Sequence, residues 1–344
     1  MNVLVTGGAG YIGSHAAQRL LRDGHRVIVV DSLVRGHAGA MDALQRATKV
    51  GSQLVFVQSD VSEQSRVEGL LREHRVSAVM HFAALAAVGE SVDRPLWYYR
   101  NNVSAMIALL SACESAGVER FVFSSSCATY GNPPEGMVPI PEHCPKAPIS
   151  PYGMTKLHGE HILEDFARGQ EKAGKPFGFT ALRYFNVAGC DRSGVLGEDH
   201  DPETHLIPVV LHAAMGRRNG VAIFGTDYLT PDGTCIRDYI HVEDLIDAHV
   251  KSLHAIKPGT SAAYNLGIGR GYSVREIIAA VREVTGCEFA VREEPRREGD
   301  PPRLFADPRK IQSELGWRAS ITDLRTSIES AWSWFKANPK GYSR

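Results

Sequence analysis

The chain has 344 residues, of which 43% are hydrophobic and 22% are charged, a composition typical of a globular protein with one large domain or two smaller ones. Its 38 lysines and arginines nearly balance 39 aspartates and glutamates, so the charge favours neither a nucleic acid nor an anionic membrane as partner. The six cysteines include no Cys-x-x-Cys pair, which argues against a zinc site or a disulfide framework and favours reduced thiols.

The first half of the sequence alternates short apolar runs, which predict strands, with segments of helical spacing. The predicted strands are residues 3–5, 27–30, 54–57, 78–82, 121–123 and 180–184. The predicted helices are residues 11–23, 62–74, 96–116 and 152–168. Because continuous apolar strands joined by crossover helices form parallel sheets covered on both faces, we predict a doubly wound, Rossmann-like α/β domain.

The second half does not continue this alternation and instead contains long loops rich in Gly, Asp and Pro, which are typical of a ligand site. These loops are residues 194–202, 225–233 and 295–302, and predicted helices cover 206–216, 242–255, 274–285 and 321–336. Residues 263–266 are predicted to return to the main sheet. We therefore expect a cofactor-binding domain over 1–188, joined by a returning segment at about 240–268, and a smaller α/β substrate lobe mainly over 189–344.

The N-terminus leads directly into a predicted strand, and no apolar run approaches the about 20 residues of a membrane span. We therefore expect an unexported, cytoplasmic protein without a membrane partner.

A glycine-rich segment, residues 6–13, lies between the first predicted strand and the first predicted helix. Glycines at Gly7, Gly10 and Gly13 let the backbone approach a pyrophosphate, whose charge the amides at the helix N-terminus stabilise. Asp31 ends the next strand, where a carboxylate binds the adenosine ribose hydroxyls and disfavours a 2′-phosphate, so NAD is predicted over NADP. Arg35 is a counter-signal, since an arginine there can accommodate that phosphate, and Asp60 is predicted at the adenine edge.

A second chemical pattern combines Ser124-Ser125-Ser126 with Tyr152 and Lys156. Residues four apart on a helix share a face, so the Lys156 ammonium is expected within reach of the Tyr152 phenol. A neighbouring positive charge lowers a phenol pKa toward the range of a general base. A Ser126 hydroxyl at a strand end could bind the same substrate oxygen.

These residues carry a resemblance to a known family. The Gly7-x-x-Gly10-x-x-Gly13 segment, the Ser126, Tyr152 and Lys156 set and residues 183–186 resemble the extended short-chain dehydrogenase/reductases. More narrowly, the chain resembles the nucleotide-sugar 4-epimerases over essentially its whole length. The motifs that carry this closer resemblance are residues 81–84, 88–91, 99–103, 237–242 and 296–300.

The resemblance implies a redox-neutral reaction on a tightly bound NAD that is regenerated in each cycle. By similarity, Tyr152 removes the proton of the sugar 4-hydroxyl of UDP-glucose or UDP-galactose while the C4 hydride passes to NAD. Ser126 hydrogen-bonds that oxygen, and Lys156 holds the nicotinamide ribose and lowers the Tyr152 pKa. The 4-keto sugar then turns and takes the hydride back on its other face. A homodimer through a four-helix bundle, formed by the helices near 96–116 and 152–168, is implied as well.

The resemblance also implies contacts for individual residues. Those implied to contact NAD are Gly7, Gly10, Tyr11, Ile12, Gly13, Asp31, Asp60, Val61, Phe82, Asn101, Ser124, Tyr152, Lys156 and Tyr184. Those implied to contact the UDP-sugar are Ser126, Tyr152, Asn186, His205, Leu206, Phe224, Arg237, Arg297, Asp300 and Leu304.

Three departures from the family pattern affect what the site binds. Ala86 stands where a Lys commonly contacts the cofactor phosphate. Leu304 stands where a Tyr is thought to exclude N-acetyl sugars and a small residue to admit them, and His205 replaces the usual Asn. UDP-N-acetylhexosamines and UDP-pentoses (xylose, arabinose) therefore remain alternative substrates.

Other functions are weighed on the same residues. A 4,6-dehydratase or a decarboxylase of this fold needs an acid just after the active-site hydroxyl, whereas this chain has Cys127-Ala128-Thr129. A non-catalytic NAD-sensing protein would typically have lost Ser126, Tyr152 or Lys156. No metal is expected, because His158 and His161 have no third ligand nearby and are typical of a helix surface.

Overall fold

We describe the protein from a computed structural model, which describes residues 1–48, 53–297 and 300–342. Glu298 and Gly299, which belong to the predicted 296–300 motif, lie outside the described residues. Among the helices in these ranges, none is both long and apolar enough to cross a membrane.

The secondary structure begins as a regular alternation of strands and helices and then becomes irregular. The strands are β1 (Asn2–Thr6), β2 (Arg26–Asp31), β3 (Leu54–Gln58), β4 (Ala78–His81), β5 (Arg120–Ser124), β6 (Gly178–Tyr184), β7 (Asn186–Ala188), β8 (Val221–Phe224), β9 (Ile236–Arg237), β10 (Tyr239–His241), β11 (Ser261–Leu266), β12 (Tyr272–Ser273), β13 (Val291–Glu294) and β14 (Arg303–Leu304). The α-helices are α1 (Tyr11–Arg22), α2 (Ala38–Thr48), α3 (Gln64–Glu73), α4 (Val88–Asp93), α5 (Pro95–Tyr99), α6 (Ala105–Ala116), α7 (Pro151–Lys172), α8 (Leu206–Ala214), α9 (Val242–Ala255), α10 (Val274–Thr285), α11 (Arg309–Leu315) and α12 (Leu324–Ala337).

Seven parallel strands form the main sheet, in the order β11-β6-β5-β4-β1-β2-β3. The order reverses between β1 and β4, and a crevice at such a reversal is where open α/β sheets bind their ligands. The predicted doubly wound fold is confirmed. The predicted return of 263–266 is confirmed too, because β11 pairs with β6 and places Tyr264 beside Leu182.

The core lies on both faces of this sheet because successive strand residues point to opposite sides. Val3 and Val5 of β1 belong to one buried cluster together with Leu20 of α1, whereas Leu4 belongs to the other together with Leu109 of α6. This two-sided burial explains why the strands read as continuous apolar runs rather than alternating ones.

Two features of the first half escaped the sequence patterns. Helix α2 buries Ala40, Met41 and Leu44 against the same cluster as α1. The predicted single helix at 96–116 is a composite, since a π-helical turn at Arg100–Ser104 separates α5 from α6. Such a turn shifts the side-chain register and is frequent at functional sites.

The second half adds three small sheets, β7-β10, β12-β9-β14 and β8-β13. Their strands have two to four residues, too short to show a periodicity, so the sequence patterns missed them. They pair segments distant in the chain: Leu304 lies opposite Arg237, and Glu294 lies opposite Phe224. The division into two lobes at residue 188 stays a prediction.

Candidate active site

The glycine-rich loop occupies the crevice between β1 and β4. Gly7 has φ +70°, and a Cβ there would lie 2.5 Å from the Ala83 nitrogen beyond β4. A Cβ on Gly13 would lie 2.2 Å from the Gly7 carbonyl oxygen. The N-cap residue of α1 is Gly10, which has no side chain to cap the helix, so the first-turn amides remain directed at the crevice. This arrangement fits a bound pyrophosphate.

Asp31 closes one side of this loop. It is 8% exposed, and its carboxylate accepts hydrogen bonds from the Ala9 amide (2.9 Å) and the Leu33 amide (2.8 Å). Burial raises the pKa of Asp31, and the two amides partly offset that effect. Arg35, the counter-signal for a 2′-phosphate, is paired with Glu90 at 2.7 Å. That pairing favours the NAD interpretation of the sequence.

The structure brings Ser126, Tyr152 and Lys156 together at the end of β5. Ser150 caps α7 by accepting the Gly153 amide (3.1 Å), and the helix places Lys156 one turn after Tyr152. The Lys156 ammonium is 4% exposed, donates to the Ser124 carbonyl (2.7 Å) and lies 5.9 Å from the centre of the Tyr152 ring. The Ser126 hydroxyl accepts the Ala128 amide (3.1 Å) and lies near enough to the half-buried Tyr152 phenol to lower the pKa of that phenol.

The predicted lowering of the Tyr152 pKa is wrong for the protein alone. Burial raises the pKa of Tyr152, and the nearby Tyr184 phenol raises it further, although the Ser126 hydroxyl lowers it. Lys156 does not reverse this, because burial lowers its own pKa to about 7. Sequence spacing placed the two groups correctly but could not show that both are desolvated.

The aromatic rings of Phe82 and Tyr184 lie close to the His249 imidazole. Phe82 follows β4, and its ring centre lies 5.0 Å from that of His249 on α9. Tyr184, at the end of β6, lies 6.0 Å from the same imidazole, and its hydroxyl contacts the Ser124 hydroxyl. Asn101 lies in the π-helical turn and donates to the neighbouring Asn102 (3.0 Å).

The residues predicted to hold the UDP portion cluster around the small sheets. The Arg297 guanidinium lies over the Phe224 ring, 3.9 Å from its centre, and Arg237 forms an ion pair with Asp300. Because β14 pairs with β9, Leu304 lies beside Arg237.

Leu304 also packs against a hydrophobic cluster that includes Tyr130, which follows Ser126 in the chain. The same small cluster contains Cys127, Ile140 and Phe185. Residues distant in the chain therefore converge within one region.

His205 and Leu206 lie at the start of α8, and the His205 side chain is engaged elsewhere. Its Nδ1 lies 3.0 Å from Glu203 and 3.2 Å from Glu198, and His200 joins the same group. Desolvation lowers the pKa of both imidazoles, although the His205 side chain is half-exposed, and the two carboxylates outweigh it and raise the pKa of His200 to about 9 and of His205 to about 10. No metal site was expected from the sequence, and this run of two Glu and two His within eight residues was missed.

The comparisons with known proteins agree with this geometry. Residues 3–267 match the model of the NAD dependent epimerase/dehydratase family. The chain belongs to this family. The predicted family resemblance and the NAD dependence that it implies are thereby confirmed.

Members of this family resemble the chain over its full length. It is 47% identical to a UDP-glucose 4-epimerase of Halalkalibacterium halodurans, covering 100% of this chain and 98% of that protein. It is 46% identical to a probable UDP-arabinose 4-epimerase of rice (Oryza sativa subsp. japonica), covering 99% of this chain and 84% of that one. A crystal structure of UDP-glucose 4-epimerase from Stenotrophomonas maltophila, with bound NAD and formylated UDP-arabinopyranose, superposes with a TM-score of 0.92 at 43% identity and covers 99% of each chain.

Two positioning groups in this epimerase/dehydratase fold were missed by sequence reasoning. Asn102 is buried, exchanges hydrogen bonds with the Leu85 backbone (2.9 and 3.0 Å) and donates to Thr155 on α7 (3.0 Å). It fixes the loop after β4 to α7. Its only sequence signal was the pair Asn101-Asn102, which does not show which amide faces inward.

The second group is a buried ion pair between Arg183 on β6 and Glu160 on α7. Arg183 donates to both Glu160 oxygens (2.8 and 2.7 Å), and the side chains are 4% and 2% exposed. Glu160 also accepts from the Ser125 hydroxyl (2.6 Å), and Arg183 from β6 donates to the Tyr130 hydroxyl (2.7 Å). The pair thus ties α7 and β6 to the residues on either side of Ser126.

We expect Glu160→Gln to lower the free energy of unfolding by about 3–5 kcal/mol, because it leaves the Arg183 charge buried without its partner. Urea unfolding at neutral pH measures this change. The matched control is Glu164→Gln on the exposed face of α7, which should change the free energy by no more than about 0.5 kcal/mol. A similar small effect in both variants would contradict the prediction.

Proposed function

We propose that the protein is an NAD-dependent 4-epimerase that interconverts UDP-glucose and UDP-galactose. The observation that carries the proposal is the placement of Tyr152 one helical turn before a buried Lys156, whose ammonium lies 5.9 Å from the centre of the Tyr152 ring and is anchored by the Ser124 carbonyl beside the crevice of the glycine-rich loop. One phenol in this position serves as base in one half-reaction and as acid in the other. A reversible inversion needs no second acid–base pair.

The proton path uses residues of this chain alone. Tyr152 Oη takes the proton of the sugar 4-hydroxyl and returns it to the 4-keto oxygen after the sugar has turned. Ser126 Oγ hydrogen-bonds that oxygen in both states. Lys156 Nζ is anchored by the Ser124 carbonyl and, when protonated, favours the Tyr152 phenolate.

The described residues fit NAD, which when bound takes up the C4 hydride, gives it back and brings a positively charged ring near the phenol. Gly7, Gly10 and Gly13 would hold the pyrophosphate, with the Tyr11 and Ile12 amides at the start of α1. Asp31 would bind the adenosine ribose. The contacts at the adenine edge and at the nicotinamide end are assigned to Asp60, Val61, Phe82, Asn101, Ser124 and Tyr184.

We assign the UDP portion to the cluster around β9. Arg237 and Arg297 supply guanidinium groups, which bind a diphosphate through paired hydrogen bonds. Phe224 offers an aromatic face beside Arg297. Because Asp300 pairs with Arg237, the carboxylate would have to share that guanidinium with the substrate or release it.

Nucleotide extraction and an activity assay test the proposal. Purified protein should release NAD on denaturation and should interconvert UDP-glucose and UDP-galactose without added cofactor. The same assay over UDP-N-acetylhexosamines and UDP-pentoses would rank the substrates. A requirement for stoichiometric added NAD, or net oxidation of the sugar, would refute it.

The alternative substrates depend on Leu304, which lies opposite Arg237 and packs against the cluster that includes Tyr130. We expect Leu304→Gly to raise kcat/KM for UDP-N-acetylglucosamine relative to UDP-glucose, and Leu304→Tyr to lower that ratio, each by at least about tenfold. Leu229→Ala is the control, since Leu229 is 93% exposed. Equal ratios in all four proteins would show that Leu304 does not set specificity.

We also infer a homodimer, as the family resemblance implied. Among the described residues, seven large hydrophobic side chains are exposed, and four of them lie between residues 88 and 107, namely Val88, Val92, Leu96 and Ile107. Apolar surface on neighbouring helices is typical of a subunit interface. We further propose that this dimer is cytoplasmic and, through the proposed interconversion of UDP-glucose and UDP-galactose, acts in galactose metabolism.

Light scattering tests the dimer. We expect about twice the monomer mass of 37.6 kDa at micromolar concentration. Ile107→Glu should shift the protein toward monomer because it places a charge in the apolar interface. The control Leu229→Glu adds the same charge at an exposed residue outside the 88–107 segment and should leave the mass unchanged. A monomeric wild type would refute the inference.

A further inference from the structure

The segment before α8 gathers four metal-ligating side chains that the catalytic set does not use. Glu198, His200, Glu203 and His205 each offer one ligand atom, and all four atoms lie within 4.8 Å of one another. Both carboxylates are almost fully buried, with side chains 3% and 5% exposed.

The distances between imidazole nitrogens and carboxylate oxygens match a coordination shell. His200 Nδ1 lies 3.2 Å from Glu198 and 3.5 Å from Glu203, and His205 Nδ1 lies 3.2 and 3.0 Å from the same two residues. Zinc binds nitrogen and oxygen ligands tetrahedrally at about 2.0–2.2 Å, which places its ligand atoms about 3.3–3.6 Å apart. The two Glu203 distances end on different oxygens of that carboxylate, so with one oxygen from each glutamate three of the six edges of such a tetrahedron are already close to their required length.

A second observation concerns His200. Within the part of the chain that the structure describes, its Nδ1 atom is buried and makes no hydrogen bond, although two carboxylate oxygens are close. A ring nitrogen that lies near acceptors without hydrogen-bond geometry is positioned to give its lone pair to a cation once it has released its proton. Glu203, in contrast, is pre-oriented by the amides of Thr204 and His205, each 2.7 Å from its Oε1.

We propose that Glu198, His200, Glu203 and His205 form a binding site for a divalent transition-metal ion of the zinc type. The charge balance supports this. Two buried carboxylates need two positive charges, which either two protonated imidazoles or one divalent ion with two neutral imidazoles supplies.

The site lies next to the glycine-rich loop, since the His200 ring packs edge-on against Tyr11 with 6.2 Å between the ring centres. The ion would tie residues 198–205 to the start of α8, where Leu206 is assigned to the substrate. The other titratable groups that face the four side chains are Tyr11 and His15 on α1, Cys190, and His212 on α8.

Zinc binding to the NAD-loaded protein tests the proposal directly. After treatment with a chelator, the protein is titrated with zinc at about pH 8, where protons compete less for the imidazoles. We expect one zinc ion per chain for the wild type. Glu198→Gln and His200→Gln should bind at least about 100-fold more weakly, more than the loss seen when residues that orient a ligand are changed.

The control is His254→Gln, an exposed histidine outside the cluster, which should bind zinc as the wild type does. Circular dichroism and NAD content show whether each variant is folded. A test on the wild type alone follows histidine modification by diethyl pyrocarbonate, from which zinc should protect two histidines. Failure of the wild type to take up zinc, unchanged affinity in His200→Gln, or no protection would each overturn the proposal and leave an ion-pair cluster.

Discussion

Tyr152→Phe should lower kcat by about 10²–10⁴-fold, the usual contribution of a positioned general acid–base group. The phenylalanine ring retains the packing of Tyr152 at the start of α7 but has no proton to exchange. Because Tyr152 is assigned to the reacting oxygen and not to the nucleotide, UDP affinity and the unfolding midpoint should remain near those of the wild type. Steady-state kinetics, calorimetry with UDP and urea unfolding measure the three quantities.

Tyr184→Phe is the matched control for this variant. It removes the Tyr184 hydroxyl, which lies in the same crevice and makes a single hydrogen bond, with the Ser124 hydroxyl. A net contribution of about 0.5–1.5 kcal/mol corresponds to a change of no more than about tenfold. If Tyr184→Phe lost as much activity as Tyr152→Phe, or if Tyr152→Phe retained more than a tenth of the rate, the acid–base role of Tyr152 would have to be abandoned.

Lys156→Met should also lose activity, but its residual activity should depend strongly on pH. Without the ammonium, the Tyr152 pKa stays at or above the value of about 10 for a free phenol, so little phenolate exists at neutral pH. Residual activity should therefore rise by about tenfold per pH unit as the pH approaches that value, whereas we expect a flatter profile for the wild type. NAD should also be retained less well.

Lys146→Met is the control, since it removes a partly exposed ammonium that contacts Glu160 at 3.3 Å and does not reach the phenol. Its pH profile should follow the wild type. A Lys156→Met profile that superposed on the wild type would rule out the role of Lys156 in setting the Tyr152 pKa.

The same variant has a second signature in stability. Burial lowers the pKa of Lys156 from 10.5 to about 7, so between these values the folded, NAD-free protein binds fewer protons than the unfolded chain. Stability therefore rises with pH across that window and is lowest below pH 7, where the buried ammonium must stay charged. The urea midpoint of NAD-free wild type should increase from pH 7 toward pH 10 by more than that of Lys156→Met.

Local patterns were enough to predict the placement of the glycine-rich loop and of Tyr152 and Lys156 on α7. Gly7 and Gly13 must lack a side chain for two reasons. A Cβ on Gly13 would collide with the Gly7 carbonyl a few residues earlier, and a Cβ on Gly7 would collide with the backbone of Ala83 just beyond β4. The four-residue spacing of Tyr152 and Lys156 fixes a shared helix face wherever that helix packs. The apolar runs of β1 to β6 likewise predicted a parallel sheet, because burial on both faces removes polar residues from both sides of a strand.

Other properties were decided only by tertiary structure. The two-residue strands β9 and β14 have no periodicity of their own, and only their pairing places Leu304 beside Arg237. The inward direction of Asn102 depends on the π-helical turn, and the pairing of Arg183 with Glu160 depends on the packing of β6 against α7. The raised pKa of Tyr152 and the lowered pKa of Lys156 arise from burial, which depends on every element around the crevice and which spacing along the chain does not determine.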